Sequence, residues 1–351
     1  MSESPSPARG SKTPALSVLD LSPVSSGKTA RDALLATVDL ARHAESLGLR
    51  RYWVAEHHNA KGIACSVPEL TISQIAAATK TLRVGSGGIM LPNHAPLRVA
   101  ETFRTLEGFF PGRIDLGLGR AAGTDPRTAR LLRRATGKGE MASPDDFPEE
   151  LTSLLAFLGE HDPPRPAFAS TVVAIPAVDT SPDVFVLGSG AFGGALAAKR
   201  GLGFAFAHQI NPVDAAQVMR AYKRDFMPSK LWPSPYGIVS TWAFAAESEA
   251  AAEDAALCMK LAVSRFAQGL RDLPMPTVDE ARAHVFDDVE LALIASLPRG
   301  HHVGTATNVR DRLRELANDA DADEVMVMTA AGDHEARKRS YTLLARAWFS
   351  E

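Results

Sequence analysis

The sequence has little of what marks secreted, metal-bound or membrane-embedded proteins. Only two of its 351 residues are cysteines, Cys65 and Cys258, and their distance along the chain excludes the close spacings of metal or redox motifs. No apolar run approaches the roughly 18 residues that a membrane span requires. Residues 1–14 are small and polar and lack the apolar core of a signal peptide. We therefore expect a cytoplasmic protein with reduced thiols, in which a disordered leader over 1–14 precedes a single domain over 15–351.

An excess of charge of either sign is also missing. Lysine and arginine together number 38 and aspartate and glutamate 41, which gives a formal net charge of -3 at pH 7. This balance indicates neither a nucleic acid nor a membrane surface as a partner. The hydrophobic share of 45% and the charged share of 23% are those of an ordinary globular protein. A chain of this length can bury a large core without disulfides or metals.

Short apolar runs alternate along the chain with longer segments of helical periodicity. This alternation is typical of an α/β protein with parallel strands and helical crossovers. Eight strand–helix units favour a closed (β/α)8 TIM barrel over an open doubly wound sheet. The predicted strands cover 16–21, 51–55, 82–91, 113–118, 184–187, 204–207, 236–245 and 324–328.

Two stretches are too long for simple connecting loops. Residues 119–183 follow the fourth strand, and they include a basic helical piece over 128–134 and a proline-rich loop over 162–166. Residues 270–303 follow the seventh strand and its helix. Long insertions in compact domains are often functional, so we expect both to shape a binding site.

The second strand ends in Glu56, His57, His58 and Asn59, at the barrel face where function usually lies. Neighbouring side chains on an extended segment point in opposite directions, and no HExxH pattern supports a metal site, so we expect no metal here. A histidine at the barrel mouth suits acid–base work near neutral pH. A structural hydrogen-bonding role is the alternative.

Glycine-rich ends of the third and fourth strands come next. The pair Gly87 and Gly88 lies in a strand, where glycine marks either the close approach of a flat ligand or tight packing of the protein itself. Arg120 follows the fourth strand between small residues. Its guanidinium suits a phosphate, with a plain surface charge as the alternative.

The fifth strand leads through Gly188, Ser189 and Gly190 directly into a helix. Backbone N–H groups at a helix N-terminus bind anions, and the serine hydroxyl adds a donor. Residues 188–193 also match the dinucleotide pattern GxGxxG, but the position about 20 residues later is His208 instead of an acid. We therefore predict a phosphate site without a dinucleotide.

Four segments, 52–59, 84–101, 111–120 and 187–190, occur in an order that resembles the bacterial luciferase-like monooxygenase family. The resemblance extends over essentially the whole chain from Leu16 onward. It implies a (β/α)8 barrel that binds reduced FMN at its C-terminal face.

The resemblance also implies roles for individual residues. His57 stands at the catalytic histidine position, and the bond between Gly87 and Gly88 falls where the family often has a non-proline cis peptide under the flavin ring. The remaining implied FMN-binding residues lie around the phosphate: Arg120, Gly188, Ser189, Gly190 and, through its backbone amide, Phe192.

Two positions depart from luciferase itself. Gly119 stands where luciferase carries a cysteine, which argues against light emission as the purpose. Phe192 stands where luciferase carries a phosphate-binding threonine, so only the backbone N–H of Phe192 can serve. Related enzymes use a deazaflavin coenzyme on the same fold. The Glu-His-His sequence favours FMN.

The resemblance thus predicts an FMN-dependent monooxygenase that inserts one oxygen atom from O2 into an organic substrate. A separate flavin reductase would supply the reduced FMN, and the protein would form a homodimer. A deazaflavin- or nicotinamide-dependent reductase and a non-catalytic flavin-binding protein are the alternatives. The identity of the substrate and the type of oxygenation stay open.

Overall fold

Nine parallel strands and twelve α-helices occur in the residues that the computed structural model describes, which are 13–132, 143–159, 171–270, 272–296, 300–329 and 331–350. The strands are β1 (Ala15–Asp20), β2 (Arg51–Val54), β3 (Arg83–Met90), β4 (Ile114–Gly119), β5 (Asp183–Gly188), β6 (Gly203–Ala207), β7 (Gly237–Ala246), β8 (His301–Thr305) and β9 (Glu324–Met328). The helices are α1 (Ala30–Ser46), α2 (Pro68–Ala78), α3 (Pro96–Phe109), α4 (Pro126–Leu132), α5 (Phe147–Leu158), α6 (Ala191–Arg200), α7 (Ala215–Arg224), α8 (Glu249–Ala267), α9 (Val278–Ala283), α10 (Asp288–Ser296), α11 (Ala306–Asp319) and α12 (His334–Phe349).

Eight of the strands close into a barrel, which confirms the predicted (β/α)8 architecture. Strands β1 to β7 pair in chain order, and β9 pairs with both β7 and β1. The additional strand β8 pairs with the second half of β7, where Trp242 lies opposite His301. Because β6 pairs with β7 only as far as Ser240, β8 extends the barrel wall at its C-terminal edge.

The barrel wall separates two hydrophobic clusters, as the two-residue period of its strands requires. Side chains on the inner face fill the barrel, and they include Leu19, Trp53, Phe185, Ile238 and Met326. Outward side chains pack against the surrounding helices, and they include Val54, Val84, Leu116, Val186 and Val239. Because side chains fill the barrel interior, a ligand-binding site can form only at the ends of the barrel.

A buried ionic network lies near the N-terminal ends of the strands. The guanidinium of Arg51 is 2.8 Å from Asp115 and 2.8 Å from Glu324, and all three side chains are inaccessible to solvent. Arg83 adds a contact of 2.6 Å to Asp115. Burial alone would raise the pKa of Asp115, but the charges of Arg51 and Arg83 outweigh it and hold that pKa below its usual value.

Two helices, α1 and α5, begin at residues that favour a helix start. Thr29 caps α1 and forms a reciprocal capping box with Asp32. The segment 119–183 was expected to be irregular, yet it contains α5. A leucine stripe forms the buried face of this helix (Leu151, Leu154, Leu155 and Leu158), and Pro148 stands in its first turn, where proline favours a helix start.

The segment 301–319 also differs from the prediction, which placed an insertion as far as 303 and no helix between it and the strand over 324–328. There β8 and α11 form a further strand–helix unit. The strand carries two histidines and a glycine, so it lacks the apolar run by which the other strands are recognised.

Some predictions fall on residues that the structure does not describe. These are residues 1–12 of the leader, the end of the basic helical piece at 133–134, and the loop over 162–166. The leader over 1–14 and the single domain over 15–351 therefore stay predictions. Among the helices of the described residues, none combines the length and apolar character that crossing a membrane demands.

Candidate active site

The site residues predicted from the sequence lie at the C-terminal ends of four neighbouring strands or, for Ser189, Gly190 and Phe192, in the turn and helix that follow β5. His57 follows β2, Gly87 and Gly88 lie in β3, Arg120 follows β4 directly, and Gly188 ends β5. Because parallel strands end at the same face of a barrel, these residues share its mouth. The order β2-β3-β4-β5 in the sheet makes each of these strands a neighbour of the next.

The carboxylate of Glu56 organises the loops after β2 and β3. It is fully buried and accepts hydrogen bonds from His58 Nε2 at 2.9 Å, His94 Nε2 at 3.0 Å and the amide of Asn93 at 3.2 Å. The backbone N–H of Met90 donates a further bond of 2.8 Å. Glu56 therefore ties the two loops together through four donors.

Burial and hydrogen bonding act on Glu56 in opposite directions. Burial raises the pKa of this carboxyl, but the bonds from His58, His94 and Met90 together with the charge of His94 lower it to about 2. For His94 the signs are reversed. Burial lowers the pKa of its imidazole, while the hydrogen bond to Glu56 and the charge of Glu56 raise that pKa above its usual value. Glu56 is therefore ionised at neutral pH, and His94 holds its proton more firmly than a free histidine does.

His57 lies between these anchored neighbours. Its backbone N–H donates to the carbonyl of Cys65 at 3.1 Å, and its side chain is half-buried. β2 ends at Val54, and Trp53 and Ala55 belong to the cluster inside the barrel, so His57 lies just beyond the strand end at the mouth. This position suits a histidine that exchanges a proton with a ligand in the mouth.

The peptide bond between Gly87 and Gly88 is cis, as the family resemblance implies. Neither glycine has room for a side chain. A Cβ at Gly87 would come within 2.6 Å of Leu19 and 3.1 Å of Trp53, and one at Gly88 would come within 2.7 Å of the carbonyl oxygen of Gly117. Packing within the protein therefore accounts for both glycines, and a flat ligand above this peptide remains an expectation.

The turn between β5 and α6 has the form of an anion site. Within the described part of the chain, no side chain caps α6, and its first turn holds no acid. A Cβ built on Gly190 would meet no atom within 4 Å, so the space beside this turn is open. Asn211 fixes the turn by donating to the carbonyl of Ser189 at 2.9 Å. Uncapped N–H groups beside open space fit a phosphate.

Arg120 reaches this turn from the end of β4. Its guanidinium carbon lies 4.4 Å from the centre of the Phe192 ring, in the first turn of α6. The structure thus brings together a cation, the serine turn and the free N–H groups of a helix, which is the set that a phosphate monoester requires.

The family model of luciferase-like monooxygenases matches residues 15–323. The chain belongs to the luciferase-like monooxygenase family. A luciferase-like monooxygenase of Escherichia coli K12 is 40% identical over 336 residues, which cover 95% of this chain and 96% of that protein. The N-acetyl-S-alkylcysteine monooxygenase of Bacillus subtilis is 32% identical over 334 residues, covering 95% and 97%. The solved structure of apo-MsnO8 has a TM-score of 0.85 and 36% identity over 95% of this chain and 98% of that one.

More distant structures show that the fold alone does not decide the flavin of this monooxygenase. The oxygenating component of a Pseudomonas putida diketocamphane monooxygenase, solved with FMN, has a TM-score of 0.66 at 18% identity over 95% of this chain and 98% of that one. An F420-dependent secondary alcohol dehydrogenase has a TM-score of 0.65 at 14% identity over 96% and 100%. The shared fold admits both kinds of coenzyme.

Sequence reasoning missed the residues that hold the site of this monooxygenase in place. Glu56 was part of a recognised motif, but its partners Met90, Asn93 and His94 lie 34 to 38 residues away, beyond the reach of local spacing. Asn211 offered no signal other than its place before Pro212. Glu56 and Asn211 both fix a loop by hydrogen bonds, and such roles can be recognised only in the folded structure, where the loops lie side by side.

Proposed function

We propose that this monooxygenase takes reduced FMN from a separate flavin reductase and inserts one oxygen atom from O2 into an organic substrate. The observation that carries the proposal is the uncapped N-terminus of α6 with Arg120 beside it. This arrangement fits the phosphate of FMN. The family shows that the chemistry is that of a flavin-dependent monooxygenase.

The residues at the mouth would divide the work of binding. Arg120, Ser189 and the first amides of α6, including that of Phe192, would hold the phosphate, with Gly188 and Gly190 leaving it room. The Gly87–Gly88 peptide would face the flavin ring, since neither glycine projects a side chain. Bound FMN would supply the activation of O2 and the transfer of an oxygen atom.

His57 would hold or accept a proton at a ring nitrogen facing the substrate. Its neighbours would keep it there, because the hydrogen bonds to the Glu56 carboxylate fix the loop on both sides of it. A loop that is already fixed needs no reorganisation when the proton moves.

The loops over the mouth would exclude water. The loop after β1 bonds to the loop after β2, with Val24 N–H donating to the Gly62 carbonyl at 2.9 Å. It also bonds to the second insertion, where the hydroxyl of Ser26 donates to Glu280 at 2.6 Å. Reactive oxygen chemistry requires such shielding.

We further propose a cytoplasmic homodimer. The two cysteines, Cys65 and Cys258, are buried and free, which suits a reducing compartment. The dimer and the reductase partner follow from the family resemblance.

The test is an anaerobic equilibrium titration with reduced FMN, reduced riboflavin and a reduced deazaflavin coenzyme. We expect reduced FMN to bind most tightly, because only FMN combines the isoalloxazine ring with a terminal phosphate. Binding of the deazaflavin without FMN would favour a reductase. Failure of FMN to bind in either redox state would overturn the proposal.

A further inference from the structure

The side chains of Arg120 and Phe192 contact each other at the edge of the barrel mouth. The guanidinium carbon of Arg120 lies 4.4 Å from the centre of the Phe192 ring, well inside the range of a cation–π interaction. Phe192 is 47% exposed, although an aromatic side chain usually gains from burial. Part of its surface is thus covered by an arginine.

The geometry of this contact leaves the donors of Arg120 free. A guanidinium is planar, and its five N–H bonds point outward in that plane. A cation–π contact depends on the charge of the group and leaves its N–H bonds unpaired with an acceptor, so they remain available to a ligand. Among the described residues, Arg120 has no hydrogen bond or ion pair in addition to its contact with Phe192, so no acid of the described chain competes for these donors.

The contact also restricts a long side chain before any ligand arrives. A free arginine loses considerable rotamer entropy when it becomes ordered on binding, which weakens the binding of its ligand. An arginine that already rests on a ring has lost part of that freedom. Phe192 is in the first turn of α6, so the restriction holds the cation beside the free N–H groups of the helix.

We propose that Phe192 is a positioning residue, an aromatic support that holds Arg120 for the phosphate of the flavin. This inference rests on the proposed function, since it takes the ligand to be FMN. Phe192 would contribute twice to the same phosphate, through its backbone N–H and through the orientation of Arg120.

A double-mutant cycle tests the proposal. The dissociation constants of FMN and riboflavin are measured by flavin fluorescence for the wild type, Phe192→Leu, Arg120→Ala and the double variant. An exposed cation–π contact corresponds to a change of roughly two- to fivefold. We therefore expect Phe192→Leu to weaken FMN binding by about that factor when Arg120 is present, and to have no effect when Arg120 is replaced. Riboflavin, which lacks the phosphate, should bind all four proteins equally.

Two further variants control for other effects. Phe192→Tyr keeps the ring face and should bind FMN as the wild type does. Phe109→Leu alters an exposed phenylalanine at the end of another helix and should leave both flavins unaffected.

Each failure has its own signature. If Phe192→Leu weakens FMN equally with and without Arg120, or weakens riboflavin as well, Phe192 contacts the flavin directly and the proposal is wrong. If Arg120→Ala leaves FMN binding unchanged, the phosphate site of the proposed function is wrong. If FMN does not bind at all, both the proposed function and the role of Phe192 are wrong.

The contact itself can be measured without ligand. In protein labelled at arginine, ring currents should shift the side-chain protons of Arg120 upfield, and Phe192→Leu should remove that shift. Identical spectra for the two proteins would overturn the role of the ring, whatever the flavin measurements show.

Discussion

At the scale of single residues, the site sets a half-buried histidine, for which we propose the proton-exchanging role, beside a fully buried acid. His57 follows β2 at the barrel mouth with a half-buried side chain, while Glu56 is fully buried among donors from two loops. The position of His57 after a strand end, together with the family resemblance, predicts an acid–base role, and that role stays a prediction. The role of Glu56 could not be predicted, because its partners become neighbours only when β2 and β3 pair.

The titration of Glu56 and His94 gives a prediction about stability. The pKa of Glu56 is lowered from its ordinary value of 4.5 to about 2. The ionised carboxylate therefore contributes fully to the free energy of unfolding above pH 4.5, and this contribution is lost as the pH falls toward 2. The pKa of His94 is raised above its ordinary 6.5, so its effect is complete below pH 6.5 and is lost as the pH rises through the folded-state value.

We therefore expect Glu56→Gln to lower the free energy of unfolding most between about pH 4.5 and 6.5, by about 1.5–3 kcal/mol, because a buried charged hydrogen-bond network is broken. Urea unfolding over this range measures it, with Glu253→Gln on the exposed side of α8 as the control. A loss of stability that is the same at pH 2 as at pH 5.5 would contradict the pairing.

Replacing His57 tests catalysis separately from binding. We expect His57→Ala to lower turnover by roughly 10²–10⁴, the usual contribution of a positioned acid or base, while the dissociation constant of FMN stays near that of the wild type. Steady-state turnover and a flavin titration measure the two effects. His43→Ala, on α1, is the control. Unchanged turnover would remove His57 from the mechanism.

At the scale of elements, the start of α6 combines a weak helix cap with an open anion site. The sequence predicts a helix directly after Gly190, and α6 covers Ala191–Arg200 between Gly190 and Gly201. Elements without a clear signal were missed. In α5 the acids and proline of the first turn hid a leucine stripe, and in β8 two histidines replaced the apolar run.

The start of α6 also offers a substitution that should move stability and binding in opposite directions. Gly190 has an extended backbone, with φ -165 and ψ 178, that any residue can adopt, and its Cβ position is open. Aspartate there would cap the helix and raise the free energy of unfolding by a few tenths of a kcal/mol. Its carboxylate would also occupy the place of the phosphate.

We therefore expect Gly190→Asp to raise the melting temperature slightly and to weaken FMN binding by tenfold or more, with riboflavin unaffected. Gly190→Ala adds a methyl group without charge and should weaken FMN binding much less than the aspartate does. Calorimetry and flavin titration provide the two readouts. FMN binding that survives the aspartate would place the phosphate elsewhere.

At the scale of the whole molecule, the two ends of the barrel serve different purposes. The mouth holds the predicted flavin site, and the opposite end holds the network of Arg51, Asp115 and Glu324. The barrel could be predicted from the number and spacing of apolar runs. The network could not, since charged residues at strand starts resemble surface positions until the barrel closes around them.

The division of roles predicts that damage to the network affects stability alone. Asp115→Asn leaves Arg51 and Arg83 without their shared carboxylate, and breaking a buried ion pair costs about 3–5 kcal/mol. We expect this loss in chemical unfolding, with FMN affinity and turnover per folded molecule unchanged. Asp225→Asn, in an exposed pair with Arg224, should change neither. A loss of FMN affinity in folded Asp115→Asn protein would show that the two ends are coupled.

A crystal structure of the protein with FMN bound would test most directly whether the flavin lies at the barrel mouth. We expect the phosphate to lie within hydrogen-bond distance of Arg120, Ser189 and the first amides of α6. The flavin ring should lie against the Gly87–Gly88 peptide, and His57 should face the mouth. A phosphate away from α6, or a ring on the other side of the barrel mouth, would contradict this expectation.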